Sequence, residues 1–171
     1  MNSKETSVLF RNYPTKHRGF GILEMVIASA ILSVSLLGIS SFYQDALRVS
    51  RTTTSFVQAN YLLEEGVEAV KLMRDKSWSG SIAGLTPGAS YRLAYTSGSW
   101  ATTTTMTLID GVFDRTFVLE NVNRDGNDDI TTSGGTLDAG TKKLTVSVAW
   151  GGQSGTTTKS ITTYIANIFN N

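Results

Sequence analysis

The chain has 171 residues, 40% of them apolar, which suffices for one modest core plus an anchoring segment and argues against a second full domain. Its net charge of +1 is uneven: Lys4, Arg11, Lys16 and Arg18 against Glu5 concentrate positive charge in residues 1–19, and nothing after them indicates nucleic acid as a partner. There is no cysteine, which excludes a disulfide framework and a thiolate metal site.

Residues 1–18 are polar and basic, ending in Lys16-His17-Arg18, and residues 20–43 then carry a single charged side chain, Glu24. As a helix, that stretch would be roughly 36 Å long, enough to cross a hydrocarbon core of about 30 Å. Positive charge ahead of it orients the N-terminus to the cytoplasm and the rest of the chain outward.

A secretory signal peptide would have a shorter apolar run with a small-residue cleavage site at its end. Here Ala28-Ser29-Ala30 lies in the middle of the run. A plain signal-anchor helix accounts for length and charge bias but leaves Glu24 without a reason. A carboxylate within hydrocarbon costs about 2.5 to 3.5 kcal/mol on insertion scales and normally has a partner. No Lys or Arg occurs between Phe20 and Gln44. Cleavage after Gly19 would supply the missing cation, because the new α-amino group of Phe20 is positively charged near neutral pH. Between helices packed with an axial offset, that amine and Glu24 would set the stagger.

Arg18-Gly19-Phe20-Gly21-Ile22-Leu23-Glu24, followed by an uninterrupted apolar helix, resembles the class III signal of type IV pilins and the related pseudopilins. The resemblance implies that a membrane aspartyl prepilin peptidase cuts between Gly19 and Phe20 and that Phe20 is then N-methylated. It also implies that Glu24 neutralises the N-terminal amine of a neighbour as subunits enter a filament. Gly21 stands where the family more often has a hydroxyl residue. The implied partners are identical or related pilin subunits, the prepilin peptidase, the membrane platform of the assembly machine and, before assembly, the cytoplasmic membrane. The implied location is the cytoplasmic membrane as a single-pass precursor, then an extracellular filament. Two other readings stay open: a pseudopilin of a type II secretion or DNA-uptake apparatus, and a signal-anchored surface binding domain that never polymerises.

The helix is expected to continue to Lys76. Phe56, Ala59, Leu63, Val67 and Val70 recur at three- and four-residue spacing, widened by Leu62, Ala69 and Met73 into a stripe that should pack on a globular part. Glu68 with Lys71, and Lys71 with Asp75, are spaced to pair across turns. Gly38, Gly66 and Thr52-Thr53-Thr54-Ser55 are the weak points for helicity, and local melting near Gly38 could accompany assembly.

From Trp78 the pattern has period two, and residues 91–96, 103–109, 112–122, 143–150 and 159–168 read as strands. Leu144, Val146, Val148 and Trp150 alternate with Thr145, Ser147 and Ala149, giving one buried and one wet face. Asp110-Gly111 is a short-hairpin signal, and residues 151–155 should link the last two strands. The expected fold is α+β, a long N-terminal helix packed on a four- or five-stranded antiparallel sheet. Its parts are a cleaved leader (1–19), a transmembrane or filament-core helix (20–43), an amphipathic continuation (44–76) and a β-rich head (77–171).

Asn123, Asp125, Asn127 and Asp129 alternate as at the start of an EF-hand-like loop, where oxygens two apart can turn around one calcium ion. Asp128 replaces the sharp-turn glycine, and Gly134 stands where the closing glutamate belongs. The competing reading is a hydrophilic turn, which Asp-Gly and Asn-Asp favour without metal. Pseudopilins, through the resemblance, add that calcium can hold such heads together.

Catalytic chemistry finds little support. The sole histidine, His17, lies in the leader, so the remainder lacks the usual nucleophile–base pairs and imidazole zinc ligands. No phosphate-cradling glycine motif is present. The expectation is a non-enzymatic protein that is itself the substrate of a peptidase.

Overall fold

The computed structural model describes residues 19, 21–152 and 155–171. Helix α1 spans Ile22–Lys76 without interruption. By contacts the chain divides into two compact units between Leu47 and Arg48.

The Ser and Thr residues of α1 stay compatible with helix by bonding backward. Ser33 Oγ donates to Ser29 O at 2.8 Å and Ser35 Oγ to Ile31 O at 2.8 Å. Thr52, Thr54 and Ser55 do the same toward Arg48, Ser50 and Arg51 carbonyls. Each hydroxyl thus has an acceptor without water, so the Thr52–Ser55 patch remains helical despite weak propensity.

In the second unit, α1 buries Ala59, Leu63, Gly66, Val67, Ala69, Val70 and Met73, with Phe56 and Leu62 at the margin, which is the stripe expected from the spacing. Its partner is an antiparallel sheet of β1 (Ser90–Thr96), β2 (Ser99–Thr103), β3 (Phe113–Arg124), β4 (Ile130–Thr131), β5 (Thr136–Gly152) and β6 (Gly155–Ala166), in the order β2-β1-β3-β5-β6 with β4 on β3. The β3/β5 register places Phe113 opposite Trp150, Phe117 opposite Val146 and Leu119 opposite Leu144, so the apolar alternations of both strands share the helix-facing side. All six are buried. Burying one such side chain contributes about 1.5 to 3 kcal/mol, so this layer dominates the head's stability. Phe56 meets Trp150 edge-to-face at 5.3 Å and extends the core along the helix.

The opposite sheet face is hydroxyl-rich. Thr145 and Thr162 hydroxyls lie 3.1 Å apart, Ser147 and Ser160 hydroxyls 2.8 Å apart, each pair directly cross-strand. After α1, a π-helical turn at Ser79–Ala83 inserts Ile82 into the core. Asn171 closes the helix end: its Nδ2 donates to Asp75 O, Trp78 N donates to its Oδ1, and Ser79 N donates to its carbonyl. These bonds satisfy backbone groups that a helix terminus otherwise leaves orphaned.

The α+β expectation holds, with differences of detail. Residues 103–109 do not form a strand: β2 ends at Thr103, residues 104–108 have no ladder, and Ile109 makes a single bridge to Phe113. The Asp110-Gly111 turn is real, both residues taking positive φ (53° and 69°), but it closes one bridge instead of a hairpin. Val118, Phe117 and Thr116 of β3 already pair with Ser90, Tyr91 and Arg92 of β1, which occupies the edge that residues 103–109 would have used. The sheet counts six strands because the two-residue β4 folds onto β3, and β5 runs 17 residues, well beyond 143–150. Lys71 pairs with Glu68 at 2.8 Å, but Asp75 goes to Arg74 instead of Lys71.

Candidate functional site

The first candidate is the entry to α1. Gly21 precedes the helix and its carbonyl accepts from Glu24 N at 3.0 Å and Met25 N at 3.2 Å. Gly21 has weak helix propensity, and among the described residues helix begins immediately after it, at Ile22. Gly19 is exposed, and an added Cβ there or at Gly21 would meet nothing within 4 Å. Residues 1–18 and Phe20, which include His17, the expected leader, one side of the expected cleavage bond and the expected methylation position, lie outside the described residues.

Glu24 sits in the first turn of α1, where negative charge complements the helix dipole. The nearest basic side chain downstream is Arg48, 24 residues on, which is roughly 36 Å along the axis. Between them Met25, Val26, Ile27, Ile31, Leu32, Val34, Leu36, Leu37, Ile39 and Phe42 are all exposed. These positions surround the helix, and a helix apolar all round belongs in lipid or among other helices. It is long and apolar enough to cross a membrane. The continuous helix passes through Gly38, where a Cβ would meet nothing within 4 Å.

The second candidate is the 123–129 loop. Asp125 Oδ1 accepts from the backbone amides of Asn127 and Asp129 at 2.9 and 3.0 Å, Asp125 N donates to Asp129 O, and Asn123 Nδ2 donates to Gly134 O at 3.0 Å. Arg124 binds across the loop: its Nη1 donates to Asp128 O and its Nε to Asp138 Oδ2, both at 2.7 Å. Asp125 therefore uses an oxygen to hold the turn, and Asn123 turns its nitrogen to the backbone. Among the described residues no group of three or more His, Cys, Asp or Glu side chains is placed to hold a metal.

Three ion pairs were not legible as pairs. Arg115 projects from β3 onto the buried face, where Nη1 meets Glu65 Oε2 at 2.6 Å and Leu62 O at 3.3 Å, and the guanidinium lies 5.5 Å from the Trp100 ring centroid. Its parity with Phe113, Phe117 and Leu119 was the available signal. On the outer face Arg92 grips Asp114 with two bonds of 2.7 and 2.8 Å, and the bonds from Arg92 hold the Asp114 carboxyl below its ordinary range. Asp138 is likewise lowered, first by Thr141 and then by Arg124.

Residues 14–40 match the family model of the prokaryotic N-terminal methylation motif. No curated protein and no solved structure matches the chain. The motif spans Gly19, Phe20 and Glu24 and marks type IV pilin-like proteins and pseudopilins, which are structural proteins processed at this segment and assembled with other subunits.

Proposed function

We propose that this chain is a structural subunit of a type IV pilus-like surface filament, cut between Gly19 and Phe20 by a prepilin peptidase and assembled through α1. The observation that carries the reading is Glu24, a lone carboxylate in an apolar helix with no basic residue before Arg48, inside the matched methylation motif. Removal of residues 1–19 places a positive amine on Phe20, one turn from Glu24, and N-methylation leaves that charge in place. When the helix of an incoming subunit slides past those already assembled, its Glu24 neutralises a neighbouring Phe20 amine, and the axial position at which this happens sets the stagger. The apolar surface of residues 22–43 moves from lipid to other helices, so extraction does not expose it to water. The unit of residues 48–171, the head together with the helix segment that completes its core, forms the outer surface of the polymer and performs no catalysis.

Intact-mass measurement and N-terminal sequencing of protein sheared from cells test this in one preparation. The expected result is a chain beginning at Phe20, heavier by one methyl group than the unmodified sequence, recovered in a sedimenting polymer. Recovery of sheared protein that still carries residues 1–19 would overturn it.

A further inference from the structure

The sheet opens between β1 and the start of β3. The two strands pair only over residues 90–92 and 116–118. Beyond that point β1 continues along β2, and the chain after β2 folds back to the Ile109–Phe113 bridge. The opening is a cavity of about 310 Å³, lined by Arg92 and Arg115, by Thr103, Thr105 and Thr107, and by apolar residues of β1 and of the returning chain. Small-molecule sites start at roughly this size, about 300 Å³. Among the described residues, no carboxylate and no residue of α1 lines it.

Arg92 and Arg115 each carry an ion pair, so net charge does not identify what the cavity takes. Their hydrogen bonds are more informative. A guanidinium grips a carboxylate through an edge on which two N–H groups run parallel. Arg92 spends its Nε edge in this way on Asp114, with Nε at 2.7 Å and Nη2 at 2.8 Å. Arg115 does not. Its bonds to Leu62 O and Glu65 Oε2 both leave from Nη1, toward α1. Its Nε is buried without an acceptor among the described residues, in a side chain only 5% exposed. Because α1 contributes nothing to the lining, the edge that Arg115 does not turn to the helix is the one it offers the cavity. A buried donor normally has an acceptor, and a ligand oxygen entering here supplies it.

The threonines add a second kind of recognition. Thr103 Oγ1 accepts from Thr105 N at 3.1 Å, which leaves its own proton free to donate onward. With the hydroxyls of Thr105 and Thr107 it forms a wall able both to donate and to accept, as the ring hydroxyls of a sugar require.

We propose that this cavity binds a sugar acid of monosaccharide size, its carboxylate accepting from the Nε edge of Arg115 and its ring hydroxyls bonding to the threonines. The reading gives the head a receptor site, and it does not depend on whether the chain polymerises.

Saturation-transfer NMR on the full-length chain in micelles tests it, with D-glucuronate, D-glucose and acetate as probes. Glucuronate is expected to bind, and glucose and acetate to bind about tenfold more weakly or less, since each lacks one half of the recognition. Arg115→Lys keeps the charge but loses the paired donors, and is expected to weaken glucuronate binding about tenfold. Leu108→Trp narrows the cavity from its exposed rim and should weaken binding as much without entering the core. Near-ultraviolet circular dichroism reports whether each variant is folded, and if Arg115→Lys unfolds the head, Leu108→Trp decides. Absence of glucuronate binding by the parent chain, equal binding of glucose or of acetate, or parent-like binding by either folded variant overturns the proposal and leaves the filament reading standing.

Discussion

A Cβ placed on Gly66 would lie 2.7 Å from Val146 Cγ1 and 3.1 Å from Arg115 Cδ. The glycine marks a close approach of α1 to the sheet, and its weak helix propensity is offset by the packing that this approach allows. Gly66→Ala is therefore expected to destabilise the head by about 1 to 3 kcal/mol through overpacking. Gly38→Ala, in open space, is expected to strengthen the helix by roughly 0.5 to 1 kcal/mol. Denaturation of the full-length chain in micelles, followed by near-ultraviolet and far-ultraviolet circular dichroism, separates the two. An equal response at both positions would contradict the close approach.

The buried Arg115 and half-exposed Glu65 are unequal partners. Removing Glu65 leaves a buried guanidinium with only Leu62 O and the Trp100 ring beside it, while removing Arg115 leaves a carboxylate that water can reach. Glu65→Ala is expected to cost about 1 to 3 kcal/mol, and Arg115→Met, which keeps the volume and removes the charge, to cost less. Urea midpoints of the two variants give the order directly.

Acid should loosen the outer sheet. Asp114 and Asp138 both have folded-state values below their unfolded ones, because Arg92, and Thr141 with Arg124, favour the ionised form. A depressed carboxylate contributes stability that is present above the unfolded value, near 3.9, and is lost as pH falls through the lower folded value. Melting temperature is expected to be flat through neutrality and to drop below about pH 4. In the Asp114→Asn, Asp138→Asn double variant the neutral-pH stability should be lower and the acid slope shallower. An unchanged slope would show that these pairs do not govern it.

Glu24→Ala removes an expensive charge from an apolar helix, so membrane insertion should be unchanged or improved. Polymer yield should fall to little or nothing, because the Phe20 amine then enters the bundle unpaired. Fractionation of membranes and sheared material measures both quantities in one culture, and normal filaments from this variant would rule out the charge-pair mechanism.

Much of this was legible along the chain because it depends on local rules. Glu24 in an apolar run, the stripe from Phe56 to Met73 and the alternation from Leu144 to Trp150 need only a period and a sign of charge. Helix and strand periodicity decide which side of an element is apolar before any partner is known. What the chain alone left open was competition for partners. Residues 103–109 have strand composition, yet β1 takes the place on β3 they would have needed, since strand pairing is decided by whichever segment the fold brings alongside. Asp125 was readable as a metal ligand or a turn residue, and the path of the backbone gives its oxygen to two amides. Arg115 with Glu65 and Arg124 with Asp138 join residues separated by 50 and 14 positions, so charge pattern could name the ions but not their pairing. The direction shared by β2 and β6 belongs to the topology alone, because it follows from the order in which strands meet and not from the residues within them.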